Sequence, residues 1–205
     1  MENLPQSFIS VEFHLSPDQI PAFFPRLQKG FRVKARIGVS VQEFLSEHIG
    51  LSPEYVRDRV KTIFLDGKSI DDLDGTRVQD GSMLALSAAM PGLAGAVLRR
   101  GSFFAGLRSR VEERNQRPSG EREEGFIHLK LFNLLLPEIG PLLLQEGILI
   151  SKDEFQEFCG HFSEESRPGW ENARVKEKEC EIQSLAHLLR EDPSPWIRLK
   201  VQEKA

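Results

Sequence analysis

The chain has 205 residues, 40% of them hydrophobic and 28% charged, a composition that excludes disorder as its overall state. A formal net charge of −4 argues against a general nucleic-acid binder, which needs a basic excess to replace counterions along the phosphates, although it leaves room for a local basic patch. Two cysteines, Cys159 and Cys180, are too few for a disulfide framework and read as free thiols in a reducing compartment.

Met1 to Pro5 has neither a basic nor an apolar leader region, so no secretory signal and a cytoplasmic location are expected. Ile9, Val11, Phe13 and Leu15 alternate with polar residues and predict a half-buried strand. Pro17, Pro21 and Pro25 then predict an irregular or one-turn segment that Gly30 ends. Phe31, Val33, Ala35 and Ile37 alternate with Arg32, Lys34 and Arg36, which predicts a strand with a basic outer face. Ser40 and Glu43 form a capping-box pattern ahead of Val41, Phe44, Leu45, His48 and Ile49 at helical spacing, and Gly50 supplies the stop. His48, near the end of that helix, reads as a partner of its C-terminal dipole. Ser52-Pro53-Glu54 opens a shorter helical piece.

Ile63 and Leu65 lead directly into Asp66-Gly67, a strong signal for a two-residue turn with positive φ. Gln79-Asp80-Gly81 precedes a second strand over Met83 to Ala88, with Leu84 and Leu86 on one side and Met83, Ala85 and Ser87 on the other. A glycine-bearing exit follows at Met90 to Gly95. The order is strand, strand, helix, strand, turn, short return, strand.

The segment Ile63-Phe64-Leu65-Asp66-Gly67-Lys68-Ser69-Ile70-Asp71-Asp72, followed by Val78-Gln79-Asp80-Gly81-Ser82 and the Leu84, Leu86 strand, resembles ubiquitin-like β-grasp domains. Among these it is similar to the sulphur carriers of the thiamine and molybdopterin pathways. The resemblance covers roughly Phe8 to Gly95 and implies a β-grasp fold there. In the carriers the last strand runs into an exposed tail ending in two glycines whose carboxylate is adenylated and thiolated. Here Pro91-Gly92-Leu93-Ala94-Gly95 stands at the corresponding place without a glycine pair, and the chain continues. Carrier chemistry therefore implies cleavage after Gly95.

Beyond Gly95, apolar residues from Val97 to Val111 interleave with Arg99, Arg100, Arg108 and Arg110. Gly92, Gly95 and Gly101 beside Arg99 and Arg100 are a candidate anion- or partner-binding loop. The simpler alternative is a turn feeding a helix whose basic residues reach outward. Glu112 to Gly125 has no apolar residue and reads as a linker. Ile127, Leu129 and Leu131 predict a strand. Short helical pieces are expected from Asn133 to Gly147, broken by Pro137, Gly140 and Pro141. These prolines, with Lys130, Glu138 and Glu146, interrupt the apolar run from Phe126 to Ile150 and exclude a membrane span. A second capping box, Ser151 with Glu154, starts a helix burying Phe155, Phe158, Cys159 and Phe162. Helical spacing is read from Asn172 to Arg190, and a last strand from Trp196 to Val201. The two C-terminal strands are expected to pair with each other or to extend the N-terminal sheet.

No catalytic or metal-ligating spacing emerges, and no cofactor is expected. Cys159-Gly160-His161 lacks a second cysteine knuckle, and one intervening residue puts the thiol and imidazole on different helix faces. Asp71, Asp72 and Asp74 lack the loop pattern of a calcium site. The reading is an α+β protein in three parts: a β-grasp-like domain over 1–96, a basic helix and charged linker over 97–125, and a mixed α/β extension over 126–205 packed on or near the first. Its expected function is non-catalytic protein interaction or scaffolding, with Arg32, Lys34 and Arg36 as the candidate interaction face. The alternatives are a sulphur-carrier-like protein of cofactor biosynthesis and an anion or nucleotide binder at Gly92 to Gly101.

Overall fold

A computed structural model describes residues 7–89, 92–101, 124–161 and 172–204. The basic stretch after Gly101, most of the charged linker, Phe162 and the Met90-Pro91 exit lie outside them. The described chain is α+β, with ten strands in mixed pairing and seven helices. It divides into two compact units. The first takes the chain up to Phe31 together with everything from Ile139 onward, and the second runs from Arg32 to Glu138.

In the first unit the strand order is β7 (Ile148–Ser151), β10 (Trp196–Glu203), β1 (Phe8–Leu15), β8 (Asn172–Val175), β9 (Lys178–Glu181). β1 runs parallel to β10 along its whole length, from Phe8 beside Trp196 to Leu15 beside Glu203, and antiparallel to β8. β1 therefore belongs with the C-terminal strands. This differs from the expected 1–96 grouping, because a period-two pattern specifies which side chains a strand buries but not which strand lies beside it. Val11, Phe13, Ile197 and Leu199 are buried without exposure, as are Phe23 and Leu27. Phe23 belongs to a single 3-10 turn, Ile20–Phe23, that runs straight into α1 (Phe24–Lys29). Pro21 and Pro25 sit in first turns, where the missing N–H is not needed, so the prolines shape this segment without abolishing helix. The Phe23 ring lies 5.7 Å from that of Phe13 and 5.2 Å from that of Phe158 on α6 (Lys152–Gly160).

The expectation of one helix from Asn172 to Arg190 is corrected. β8 and β9 form a hairpin, and only α7 (Ile182–Glu191) is helical. The two-residue loop is Lys176-Glu177, both at positive φ (+49° and +68°), so the turn is a primed type built without glycine or asparagine. Glu177→Gly is expected to raise stability by about 0.5–1 kcal/mol in urea denaturation, since a non-glycine residue held at that φ is strained. Lys176 compensates locally: its N–H donates to Ser10 O at 3.1 Å and its ammonium lies 2.6 Å from Asp192 Oδ2.

The Lys176 ammonium, with the Ser194 N–H donated to Asp192 Oδ1 at 2.8 Å, holds the Asp192 carboxyl down at about 2, below its ordinary 3.8. The folded state thus releases this proton more readily than the unfolded chain. The stabilisation is complete above about pH 4 and is lost as pH falls through about 2. Because Lys176 is 65% exposed, the effect is discounted to about 1 kcal/mol. Acid titration of stability should lose that step in Lys176→Ala; an unchanged profile would contradict the assignment.

The second unit has the order β4 (Lys68–Ser69), β3 (Thr62–Leu65), β5 (Met83–Ser87), β6 (Glu124–Phe132), β2 (Phe31–Arg36). β3 pairs antiparallel with β4 and β5, and β5 runs parallel to β6. Asp66 (φ +50°) and Gly67 (φ +78°) form the expected turn between β3 and β4. The Asp66 carboxylate also accepts the Met83 N–H at 2.7 Å, fastening the turn to β5. Ser40 caps α2 (Val41–Glu43) by accepting the Glu43 N–H at 3.0 Å, but the Glu43 carboxylate does not reach back; it binds Arg36. The helix continues as a π turn over Phe44–His48, burying Val41, Phe44 and Leu45. α3 (Pro53–Arg59) is capped by Ser52, whose hydroxyl accepts the Tyr55 N–H.

Of the two arrangements expected for the C-terminal strands, pairing with N-terminal ones is observed: β6 with β5, and β10 with β1. β7 was missed because Ile148, Leu149 and Ile150 are all buried, leaving no alternation to read. The helical pieces expected around Pro137 and Pro141 are one helix, α5 (Leu135–Glu146). Pro137 lies in its first turn, and it is the Pro137 carbonyl that Pro141, four residues on, leaves without a donor. The boundary between the two units falls inside α5.

Candidate interaction face

The second unit's sheet buries one face and leaves the other partly accessible, with Thr62, Ser87 and Phe126 buried on that second face. Ile63, Leu84, Leu86, Ile127, Leu129 and Leu131 point into the core with no exposure. The residues between them point the other way. Register aligns Phe64 with Ala85 and Ala85 with Lys130, Met83 with His128, and Ser87 with Phe132. Phe64, Ala85, His128, Lys130 and Phe132 are half-buried, and Met83 is 40% exposed. On β2, Phe31 and Ala35 are buried, so Arg32, Lys34 and Arg36 take the opposite side. An open face results that combines apolar side chains with cations.

The β2 cations are engaged to different degrees. Lys34 lies 2.6 Å from Glu124, with both side chains more than half exposed. Arg36 binds Glu43 at 2.9 Å and also Glu47. Its backbone N–H meets His48 Nε2 at 3.4 Å, so His48 acts as a neutral acceptor and not as the cationic dipole partner expected. Burial, and then the nearby Arg36 charge, hold the His48 imidazole below its ordinary value. Its ring stacks on that of Phe44, with centroids 5.9 Å apart.

Gly92 and Gly95 lie in α4 (Gly92–Leu98), and Gly101 follows it at φ +65°. Three backbone donors at the end of this loop have partners within the chain. Arg99 N–H bonds Gly95 O at 2.9 Å, Arg100 N–H bonds Lys61 O at 2.8 Å, and Gly101 N–H meets Asp71 Oδ1 at 3.2 Å. The Arg100 guanidinium donates to Val56 O at 3.0 Å, and burial lowers its pKa. These bonds tie the end of α4 to α3, to the start of β3 and to the turn at Asp71. Gly95 is buried within α4, not carried on an extended tail, and the basic helix that the turn is expected to feed lies outside the described residues.

Sequence reasoning also missed a cluster at the end of α3. Glu138 Oε2 accepts from Tyr55 OH at 2.6 Å and from Arg59 Nε at 3.1 Å, and Oε1 accepts from Arg59 Nη2. Arg59 holds Glu138 below the usual carboxylate range. Burial, reinforced by the bond to Glu138, pushes the Tyr55 phenol upward and keeps it a donor. The three groups fasten α3 to the first turn of α5.

Cys159 is half-buried, and His161 lies beyond the end of α6 with Nδ1 2.6 Å from Glu157 O. Cys180 is half-buried in β9, where burial raises its thiol. Asp72 caps the Gly75 N–H at 2.8 Å. Among the described residues no three His, Cys, Asp or Glu side chains group to hold a metal ion, and no helix is long and apolar enough to cross a membrane. Comparison with family models, curated proteins and solved structures returns no match to this chain.

Proposed function

We propose that this chain is a non-catalytic interaction or scaffold protein that contacts a protein partner through the open face of a β-grasp-like sheet in its second unit. The order from β2 to β5, namely strand, helix, strand, turn, short strand, strand, supports the reading as the later part of the expected order, while its leading strand β1 pairs with β10 and β8 and β6 takes a place in this sheet. One observation carries the reading: Phe64, Met83 and Phe132 stand accessible on the same face as Lys34 and Lys130. Apolar side chains left accessible beside charges are the usual composition of a contact surface.

Photo-crosslinking in the native cell tests this. A photoreactive amino acid at Lys34 or Phe64 should give covalent adducts with another protein, while one at Glu177, on the hairpin of the first unit, should not. Equal labelling at all three positions, or none at the sheet positions, counts against the proposal.

A further inference from the structure

The chemistry of the partner can be read from the same face, and the inference rests on the interaction reading above. The strand positions of this face carry Arg32, Lys34, Arg36 and Lys130 against one carboxylate, Glu124, in a chain whose formal net charge is −4. Arg36 is turned to Glu43 and Glu47. Among the described residues Lys34 pairs with Glu124, and the two side chains are 57% and 63% exposed. Such an exposed pair is weak and exchanges readily for a carboxylate brought from outside. Phe132 shares β6 with Lys130, and Met83 and Phe64 continue the face on β5 and β3, on the side of β6 away from β2, with Met83 the most exposed of the three.

We infer that the face receives an acidic segment of another protein, with apolar side chains interspersed among its carboxylates. Its carboxylates meet Lys34 and Lys130, and its apolar side chains cover Met83 and the half-buried rings beside it. Charge decides against a second copy of this chain, because apposing two such faces sets lysines against lysines. The formal net charge of −4 decides against single-stranded nucleic acid, whose backbone needs a basic excess to replace its counterions.

The test uses the full-length chain and a library of random peptides displayed on phage. Selected peptides should carry an excess of Asp and Glu together with aromatic or aliphatic residues. Their affinity, measured by fluorescence anisotropy, should fall with added salt and should drop by about tenfold or more in Lys130→Glu and in Met83→Ser. Neither side chain points into the core, and thermal melting verifies that each variant stays folded. Selected peptides that are neutral or basic yet lose affinity in both variants would overturn the partner class while leaving the interaction face standing. Competition by oligothymidylate as effective as that of the acidic peptides would replace the protein segment by nucleic acid. Peptide affinity that ignores both variants, or no selection at all, would remove the inference, and crosslinking that is also silent at Lys34 and Phe64 would remove the face with it.

Discussion

Glu154→Ala is expected to lower stability by about 2–3 kcal/mol in urea denaturation at neutral pH, the largest single effect anticipated for a surface-accessible residue of this chain. Glu154 serves two partners. Its Oε2 accepts the Ser151 N–H at 2.7 Å while Ser151 Oγ accepts the Glu154 N–H at 3.1 Å, closing the capping box of α6. Its Oε1 lies 3.4 Å from Nη2 of Arg26, a guanidinium only 3% exposed that also donates to Gly30 O. Loss of the box alone costs about 1 kcal/mol. The rest comes from leaving a buried cation without its carboxylate, a cost moderated because Glu154 itself is 32% exposed and water can take part of its place. Glu154→Gln keeps the acceptor for Ser151 but loses the charge, and should fall between parent and alanine. Arg26→Met removes the charge together with its need for a partner and should cost less than Glu154→Ala. If glutamine and alanine prove equivalent to the parent within about 0.5 kcal/mol, Arg26 does not depend on this carboxylate.

Gly125→Ala should cost about 1–3 kcal/mol, although glycine is ordinarily a poor strand residue and alanine would be expected to help. Gly125 is the second residue of β6, and a Cβ there would lie 2.6 Å from both Ile37 Cγ1 and Asp80 Oδ1. Asp80 cannot swing away without loss, because the same oxygen accepts the Phe126 N–H at 2.9 Å. The close approach of Ile37 and Asp80 to the backbone is therefore what requires glycine. A double-mutant cycle isolates the cause. Gly125→Ala should cost less in an Ile37→Ala background, where the Ile37 part of the clash is relieved and the Asp80 part stays, and equal costs in both backgrounds would assign the Ile37 contribution elsewhere.

Gly125 also illustrates how the sequence misleads. Read locally, it closes a charged run and looks like linker; read in the fold, it is a strand position under Ile37 and Asp80. The partly open face of the second unit's sheet is a similar case. Met83 and Ala85 opposite Leu84 and Leu86, and His128 and Lys130 between Ile127, Leu129 and Leu131, are legible as strand faces from alternation alone. Nothing in either stretch says that β5 and β6 lie side by side in parallel, which is what brings Met83 beside His128 and Ala85 beside Lys130. The basic alternation on β2 was visible, but not that Arg36 would be taken by Glu43 and Glu47. The Gly92 to Gly101 loop had the right residues for an anion cradle, but nothing local announced that the N–H groups of Arg99, Arg100 and Gly101 would bond to Gly95, Lys61 and Asp71.

What the sequence determined by itself is what neighbours along the chain determine. It specified the Asp66-Gly67 reversal, the Ser40, Ser52 and Ser151 helix starts, and the inward and outward faces of β1, β2, β5, β6 and β10. These depend on steric limits at one or two residues or on a short periodicity. Tertiary structure decided the strand partners, the division at Phe31 and Glu138, and the Lys176-Glu177 turn held at positive φ with help from Ser10 and Asp192. Each of those rests on contacts between residues far apart in the chain. A local pattern carries no record of them, because hydrophobic burial rewards any partner that covers the apolar face, and only the whole packing selects which one does.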